Sequence, residues 1–257
     1  MIRVSTLASS SKGNATVIHG GETVLMVDTG ISATRIRKGL SECEVALPQV
    51  AGILYTHEHT DHLCGLGVLS RRAPLPIYCS RYLLSDLRDC APNASFTCLE
   101  PGSPVQIGDF TVTAFCTSHD AVDPLGYLFE CGGTRLGYIT DTGRIMREMN
   151  ELMHEVDGLI LESNYDPDML QNSGRPYALI DRISGKWGHL SNEQACDFVR
   201  SIAHPGLQTL VLVHLSQDCN TPAIATRQMQ RTLDELRLST RLHCAPASDR
   251  LPWVSIS

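Results

Sequence analysis

The sequence predicts an α/β protein built on two substantial sheets covered by helices. Three observations carry this. Short runs rich in β-branched residues, each bounded by turn residues, outnumber helical segments across the 257 residues. The helical segments are grouped, after residues 56–65 and in the last third of the chain. Several apolar runs end directly on a histidine or an acid, which gathers polar groups at one sheet edge, where sites on α/β scaffolds are commonly built.

The runs IRVSTL (2–7), ATVIH (15–19) and TVLMVD (23–28) are separated by SSSKGN and GGE, so they read as neighbouring strands joined by tight turns. A helix is expected over 33–42, started by Ser32. AGILY (51–55) reads as a buried strand running straight into a polar cluster. Further strands are expected at PIYC (76–79), FTVTAFCTS (110–118), GYLFEC (126–131), TRLGYI (134–139), GLILES (158–163) and TLVLVH (209–214). Ser191 with Gln194 forms a capping-box pattern, and Thr221-Pro222 supplies a cap and a first-turn proline to AIATRQMQRTLDEL.

With no internal linker, repeat or low-complexity stretch, the chain reads as one domain over residues 1–257. It is 42% hydrophobic and 19% charged. No apolar stretch approaches the ~20 residues of a membrane span, and the start, MIRVSTLASSSKGN, lacks a long apolar core. A cytoplasmic protein without membrane association is therefore expected. The ten cysteines contain no CxxC pair, which argues against a zinc ribbon or a thioredoxin-like motif and for reduced, mostly buried thiols. A net charge of −7 excludes an overall cationic surface for indiscriminate nucleic-acid or membrane binding, while leaving room for a local cationic groove.

The stretch THEHTDHLCG (56–65) places His57, Glu58, His59, Asp61 and His62 within six positions, and such side chains behind a buried strand need a compensating partner. A metal ion is the obvious one. Asp28, His119, Asp141 and His214 also follow apolar runs. Imidazole and carboxylate without thiolate suit zinc, manganese or iron better than calcium or magnesium. His57, His59, Asp61, His62, His119, Asp141 and His214 are too many ligands for one tetrahedral ion; two ions sharing a carboxylate would use them all.

THEHTDH, followed in order by SHD (118–120), TDTG (140–143) and HLS (214–216), resembles the HxHxDH signature of the metallo-β-lactamase superfamily. The resemblance implies a four-layer αββα sandwich. It implies His57, His59 and His119 as ligands of one ion, Asp61, His62 and His214 as ligands of the second, and Asp141 as the bridging carboxylate. Asp28, in VDTG, would lie below the site and hold a ligand. ASSSKGNAT (8–16), LILESNYD (159–166), GHLSN (188–192) and HLSQDCNTP (214–222) are further similar to the WalJ/YycJ family of bacterial proteins, regarded as 5′ exonucleases of the single-stranded-DNA type. The resemblance thus implies a dinuclear phosphodiesterase that digests DNA 5′-to-3′, from a single strand or a free 5′ end. Tyr165 stands where that family is expected to carry a histidine, and Cys219 where it is expected to carry an asparagine.

Two ions about 3.5 to 4 Å apart would clamp a phosphate and activate water. Asp61 is then suited to orienting the nucleophile, and His189 to serving the leaving 3′ oxygen, although a histidine just before a capped helix can also merely support the cap. Ser11, Lys12 and Asn14 in the SSSKGN turn suit phosphate oxygens. Asn164, Ser191, Asn192 and Ser216 are further candidates for substrate contact. Lys12 reads equally as a solvated turn residue, and Asn164 with Asp166 as a loop brace. The alternative function is a small-molecule (cyclic) phosphodiesterase or other ester hydrolase of the same fold. His19, His154, His204 and His243 lack clustered partners and read as ordinary histidines. Arg35, Arg37, Lys38, Arg71 and Arg72 read as solvated faces, and an aromatic content of 5% offers no stacking platform.

Overall fold

Alternation along the strands sets up the layers. In the computed structural model, which describes residues 1–72 and 75–257, the chain first lays down β1 (Ile2–Ala8), β2 (Ala15–Gly20), β3 (Thr23–Val27), β4 (Val50–Leu54), β5 (Pro76–Ser80) and β6 (Ser95–Leu99) as one sheet in sequential order. A second sheet follows, again in sequential order: β7 (Pro104–Ile107), β8 (Phe110–Cys116), β9 (Leu125–Cys131), β10 (Thr134–Ile139), β11 (Gly158–Glu162), β12 (Thr209–Val213) and β13 (Arg241–Cys244). The last strand, β14 (Val254–Ile256), returns to the first sheet beside β1.

Each sheet begins antiparallel and becomes parallel. β1, β2 and β3 form a meander, after which β3 to β6 run parallel. Parallel neighbours need crossovers. Those of the first sheet contain α1 (Ala33–Glu42), α2 (Thr60–Leu63), α3 (Leu66–Ser70) and α4 (Leu84–Cys90). β7 to β10 are antiparallel and β10 to β13 parallel, with α5 (Arg147–Met153), α6 (Pro167–Gln171), α7 (Tyr177–Ser184), α8 (Asn192–Ile202) and α9 (Pro222–Glu235) in the crossovers.

Leu25 and Val27 of β3 pack between the sheets with Val211 and Val213 of β12, Tyr127 and Phe129. Their alternates, Val24 and Met26, pack outward with Ile36 and Leu40 of α1. Leu210 and Leu212 likewise pack outward with Phe198 and Val199 of α8 and Met229 and Leu233 of α9. Each fully buried side chain of this size contributes about 1.5–3 kcal/mol. The result is the expected four-layer αββα sandwich.

The expected helix 33–42 and its Ser32 cap are present, as are the reciprocal Ser191–Gln194 box and the Thr221 cap over Pro222. The sequence reading misses β6, β7, β13 and β14, which are short strands lacking a continuous apolar run. The runs 23–28 and 209–214 each stop one residue early because Asp28 and His214 turn into the left-handed region, with φ of 58° and 56°. Five of the ten cysteines are buried and three, Cys64, Cys90 and Cys98, are exposed, so mostly buried thiols hold for only half of them. No described helix is long and apolar enough to cross a membrane.

Candidate metal centre

Because β3, β4, β10, β11 and β12 belong to parallel stretches, their C-terminal ends deliver side chains to one edge. β3 leads into Asp28-Thr29-Gly30 and β10, through Thr140, into Asp141-Thr142-Gly143, the same three residues in each sheet. Both aspartates are left-handed, at φ 58° and 53°, a conformation that non-glycine residues adopt at a cost and that clusters at functional sites. The glycines allow close backbone approach. A Cβ on Gly30 would sit 1.5 Å from the Asp61 carbonyl oxygen, and one on Gly143 would sit 2.3 Å from that of Gly185. Gly30 thereby admits the backbone of α2, and Gly143 admits the loop before His189.

The histidines are fixed by one ring nitrogen each. His62 Nδ1 lies 2.7 Å from Asp28 Oδ2, and Asp28 also accepts from the Thr56 amide and hydroxyl, both at 2.9 Å. His119 Nδ1 donates to Gly188 O at 3.0 Å, His57 Nδ1 meets the Thr56 hydroxyl at 3.0 Å, and His214 Nδ1 lies 2.9 Å from Glu162 Oε1. Such outer partners orient a ring and leave its other nitrogen for a metal.

Nε2 of both His57 and His214 is buried without a hydrogen-bond partner. An unmatched buried polar atom costs about 1–3 kcal/mol, which ligation removes, so the donor set fits a metal ion. His57, His59 and His119 offer ligand atoms within 4.8 Å of one another, as do Asp61, His62 and His214, and as do His57, His62 and Asp141. All seven residues nominated from the sequence are thus brought together, and Asp28 lies directly behind His62.

Burial holds the pKa of His57 well below 6.5 and lowers that of His119, keeping both imidazoles neutral and able to ligate. Burial would do the same at His214, but the nearby Asp141 and Asp61 carboxylates and the hydrogen bond to Glu162 outweigh it and push the ring up to about 10. Asp141 is also buried, yet the surrounding imidazoles, His214 and His62 foremost, hold it well below the usual carboxylate range.

Glu162 is the site residue the sequence reading missed. It is fully buried, its Oε1 meeting His189 Nδ1 at 2.7 Å and His214 Nδ1 at 2.9 Å, its Oε2 accepting from the amides of Thr142 and Leu190 at 3.0 and 3.3 Å. Glu162 also forms a set of possible ligands with Asp141, His189 and His214, but both of its oxygens are already engaged in orienting its neighbours. A signal was present: the apolar run GLILE (158–162), like TVLMVD, ends on an acid.

The cluster opens into a cavity of about 250 Å³ lined by His59, Asp61, His119, Asp141, His189 and His214, with Ser11 at its edge. Ser11, Lys12, Asn164 and Ser216 line a second cavity beside it. The other three candidates line neither cavity. Asn14 is buried, bracing the Ser10 turn and reaching His62 Nε2 at 3.1 Å. Ser191 caps α8, and Asn192 bonds Ser163 and Asn220 internally. Tyr165 and Cys219, the two departures, pack in one small buried cluster with Leu170 and Ile180. Arg35 and Lys38 bond Ser248 and Glu42 on the outer helix α1, away from both cavities.

Two packed sheets with helices outside and a His/Asp cluster at their strand ends define a metal-dependent hydrolase of the metallo-β-lactamase fold. The beta-lactamase superfamily domain matches residues 23–215. The chain is 32% identical over 237 residues to Exodeoxyribonuclease YycJ of Bacillus anthracis, covering 91% of this chain and 90% of that one. It is 30% identical to Exodeoxyribonuclease WalJ of Streptococcus pneumoniae, over 92% and 90% of the two chains. The protein YhfI of Bacillus subtilis shares the fold, with a TM-score of 0.76 over 98% of this chain and 99% of its own at 16% identity. The chain therefore belongs to the YycJ/WalJ family of the beta-lactamase superfamily.

Proposed function

We propose that residues 1–257 act as one unit, a cytoplasmic 5′-to-3′ DNA exonuclease that takes a single strand or a free 5′ end. The observation that carries this is the convergence of seven His and Asp ligands, with the unpartnered Nε2 atoms of His57 and His214, on a cavity whose full-length relatives are named exodeoxyribonucleases. His57, His59 and His119 would hold one divalent ion, Asp61, His62 and His214 the other, with Asp141 between them; zinc or manganese suits the set best, and iron is also compatible. Ions held there supply positive charge against the phosphate and activate water at neutral pH.

The chain's own residues do the rest. Asp61, partly exposed at the cavity, accepts a hydrogen bond from the attacking water and orients it. Glu162 holds His189 by Nδ1, which turns Nε2 to the cavity, where it donates a proton to the leaving 3′ oxygen. The P–O3′ bond breaks, leaving a 3′-hydroxyl on the released nucleotide and a 5′-phosphate on the shortened strand.

The small size of the cavity and the net charge of −7 favour, as a second reading, a small phosphodiester substrate. End-labelled single- and double-stranded oligonucleotides, incubated with metal-stripped protein refilled with Mn²⁺, Zn²⁺ or Mg²⁺, separate the two. Stepwise release from the 5′ end, absent in Asp141→Ala, supports the exonuclease; intact oligonucleotides with hydrolysis of a simple diester support the alternative.

A further inference from the structure

The second cavity, about 310 Å³, shares a wall with the metal-centre cavity, made by Ser11, Arg182, Ile183 and His189. Arg182, on that shared wall, is the one Lys or Arg of the metal-centre cavity, which also carries Asp61, Asp120 and Asp141, whereas the second cavity adds Lys12 and Arg175 to it against one acid, Asp218, itself 2.9 Å from Arg175. In a chain of net charge −7, that local excess of cations marks a place for an anion. Asp120 holds Arg182 by Nε, which leaves the terminal amino groups of the guanidinium to reach a phosphate oxygen.

The remaining lining suits a sugar and base. Leu179 and Ile183, both on α7, form an apolar side, and Asn164 and Ser216 supply polar atoms. Ligand pockets span roughly 300–1,000 Å³, so a volume at the lower end takes one such unit rather than a run of them.

We propose that the second cavity binds the 5′-terminal nucleotide of the substrate strand, its terminal phosphate between Lys12 and Arg175 and its 3′ phosphodiester passing Arg182 into the metal-centre cavity. This rests on the exonuclease reading. Cleavage of the P–O3′ bond leaves a 5′-phosphate on each shortened strand, so every product presents the group this cavity takes. The same arrangement places each cut one nucleotide from the end.

The test uses the metal-loaded protein and two small probes, thymidine 3′,5′-bisphosphate and thymidine 3′-monophosphate, with affinities measured by calorimetry. Two charge-assisted contacts to the extra phosphate predict about tenfold or stronger preference for the bisphosphate. Lys12→Ala, an exposed turn substitution, reduces that preference, and Lys12→Ala with Arg175→Ala removes it. Equal affinities in the native protein overturn the proposal, as do equal cleavage rates on 5′-phosphorylated and 5′-hydroxyl oligonucleotides. A bisphosphate preference alongside uncut oligonucleotides keeps the site and removes the exonuclease reading.

Discussion

Glu162 Oε1 lies 2.9 Å from His214 Nδ1 and 2.7 Å from His189 Nδ1, so one buried oxygen orients both an expected metal ligand and the expected proton donor. Glu162→Gln cannot serve two imidazole donors and two backbone amides at once, because one of its terminal atoms becomes a donor. Losing such an orienting carboxylate typically weakens metal binding about 10–100-fold, and competition with a chromogenic chelator measures it. Unchanged affinity would assign Glu162 a packing role only.

Asp28 does for His62 what Glu162 does for His214, from the other sheet. Asp28→Asn is expected to weaken one of two ions more than the other, since Asp28 holds His62 directly but reaches His57 only through the Thr56 hydroxyl and does not touch His59 or His119. A calorimetric titration should resolve one tight and one weakened equivalent. Two equally weakened sites would show that the ligand sets do not divide as assigned.

Gly30→Ala drives a methyl group to 1.5 Å from the Asp61 carbonyl oxygen, on a backbone that also pairs with Asn14. Overpacking of this kind costs about 1–3 kcal/mol or more, and here it displaces the turn carrying Asp61 and His62. Thermal melts should show the loss together with weaker metal retention. Gly67→Ala, whose nearest new neighbour is 3.3 Å away, is expected to stay within about 1 kcal/mol of the native protein.

Metal removal should lower the melting temperature, since ligation satisfies the orphaned His57 and His214 nitrogens and favours the folded chain. Each ion at 100 times its dissociation constant adds about 2.7 kcal/mol. Dialysis against chelator followed by refilling should lower and then restore the transition; an unmoved transition would contradict a metal-linked fold.

The candidate metal ligands were legible because three of them, His59, Asp61 and His62, sit within one turn at the start of α2, and the others follow apolar runs that sheet geometry brings together. Glu162 was hidden in plain view as the last residue of such a run, its role visible only once two distant imidazoles face it. Arg175 and Arg182 carried no local signal. α7 bears Arg182 and reaches the cavity with Ile180 packed on Tyr165 and Cys219, a relationship no single stretch encodes. Asn14, Ser191 and Asn192 looked like substrate groups because they are polar residues near turns, but their partners lie inside the protein. The short edge strands escaped for lack of a continuous apolar run.

The cluster is proposed to hold two ions in two separable ligand sets. The most direct test is to count ions per chain by mass spectrometry after refilling with Mn²⁺ or Zn²⁺, in the native protein and in His119→Ala and His214→Ala. Two ions are expected in the native protein and one retained in each variant. A single ion in the native protein, or loss of all metal from either variant, would contradict the proposal.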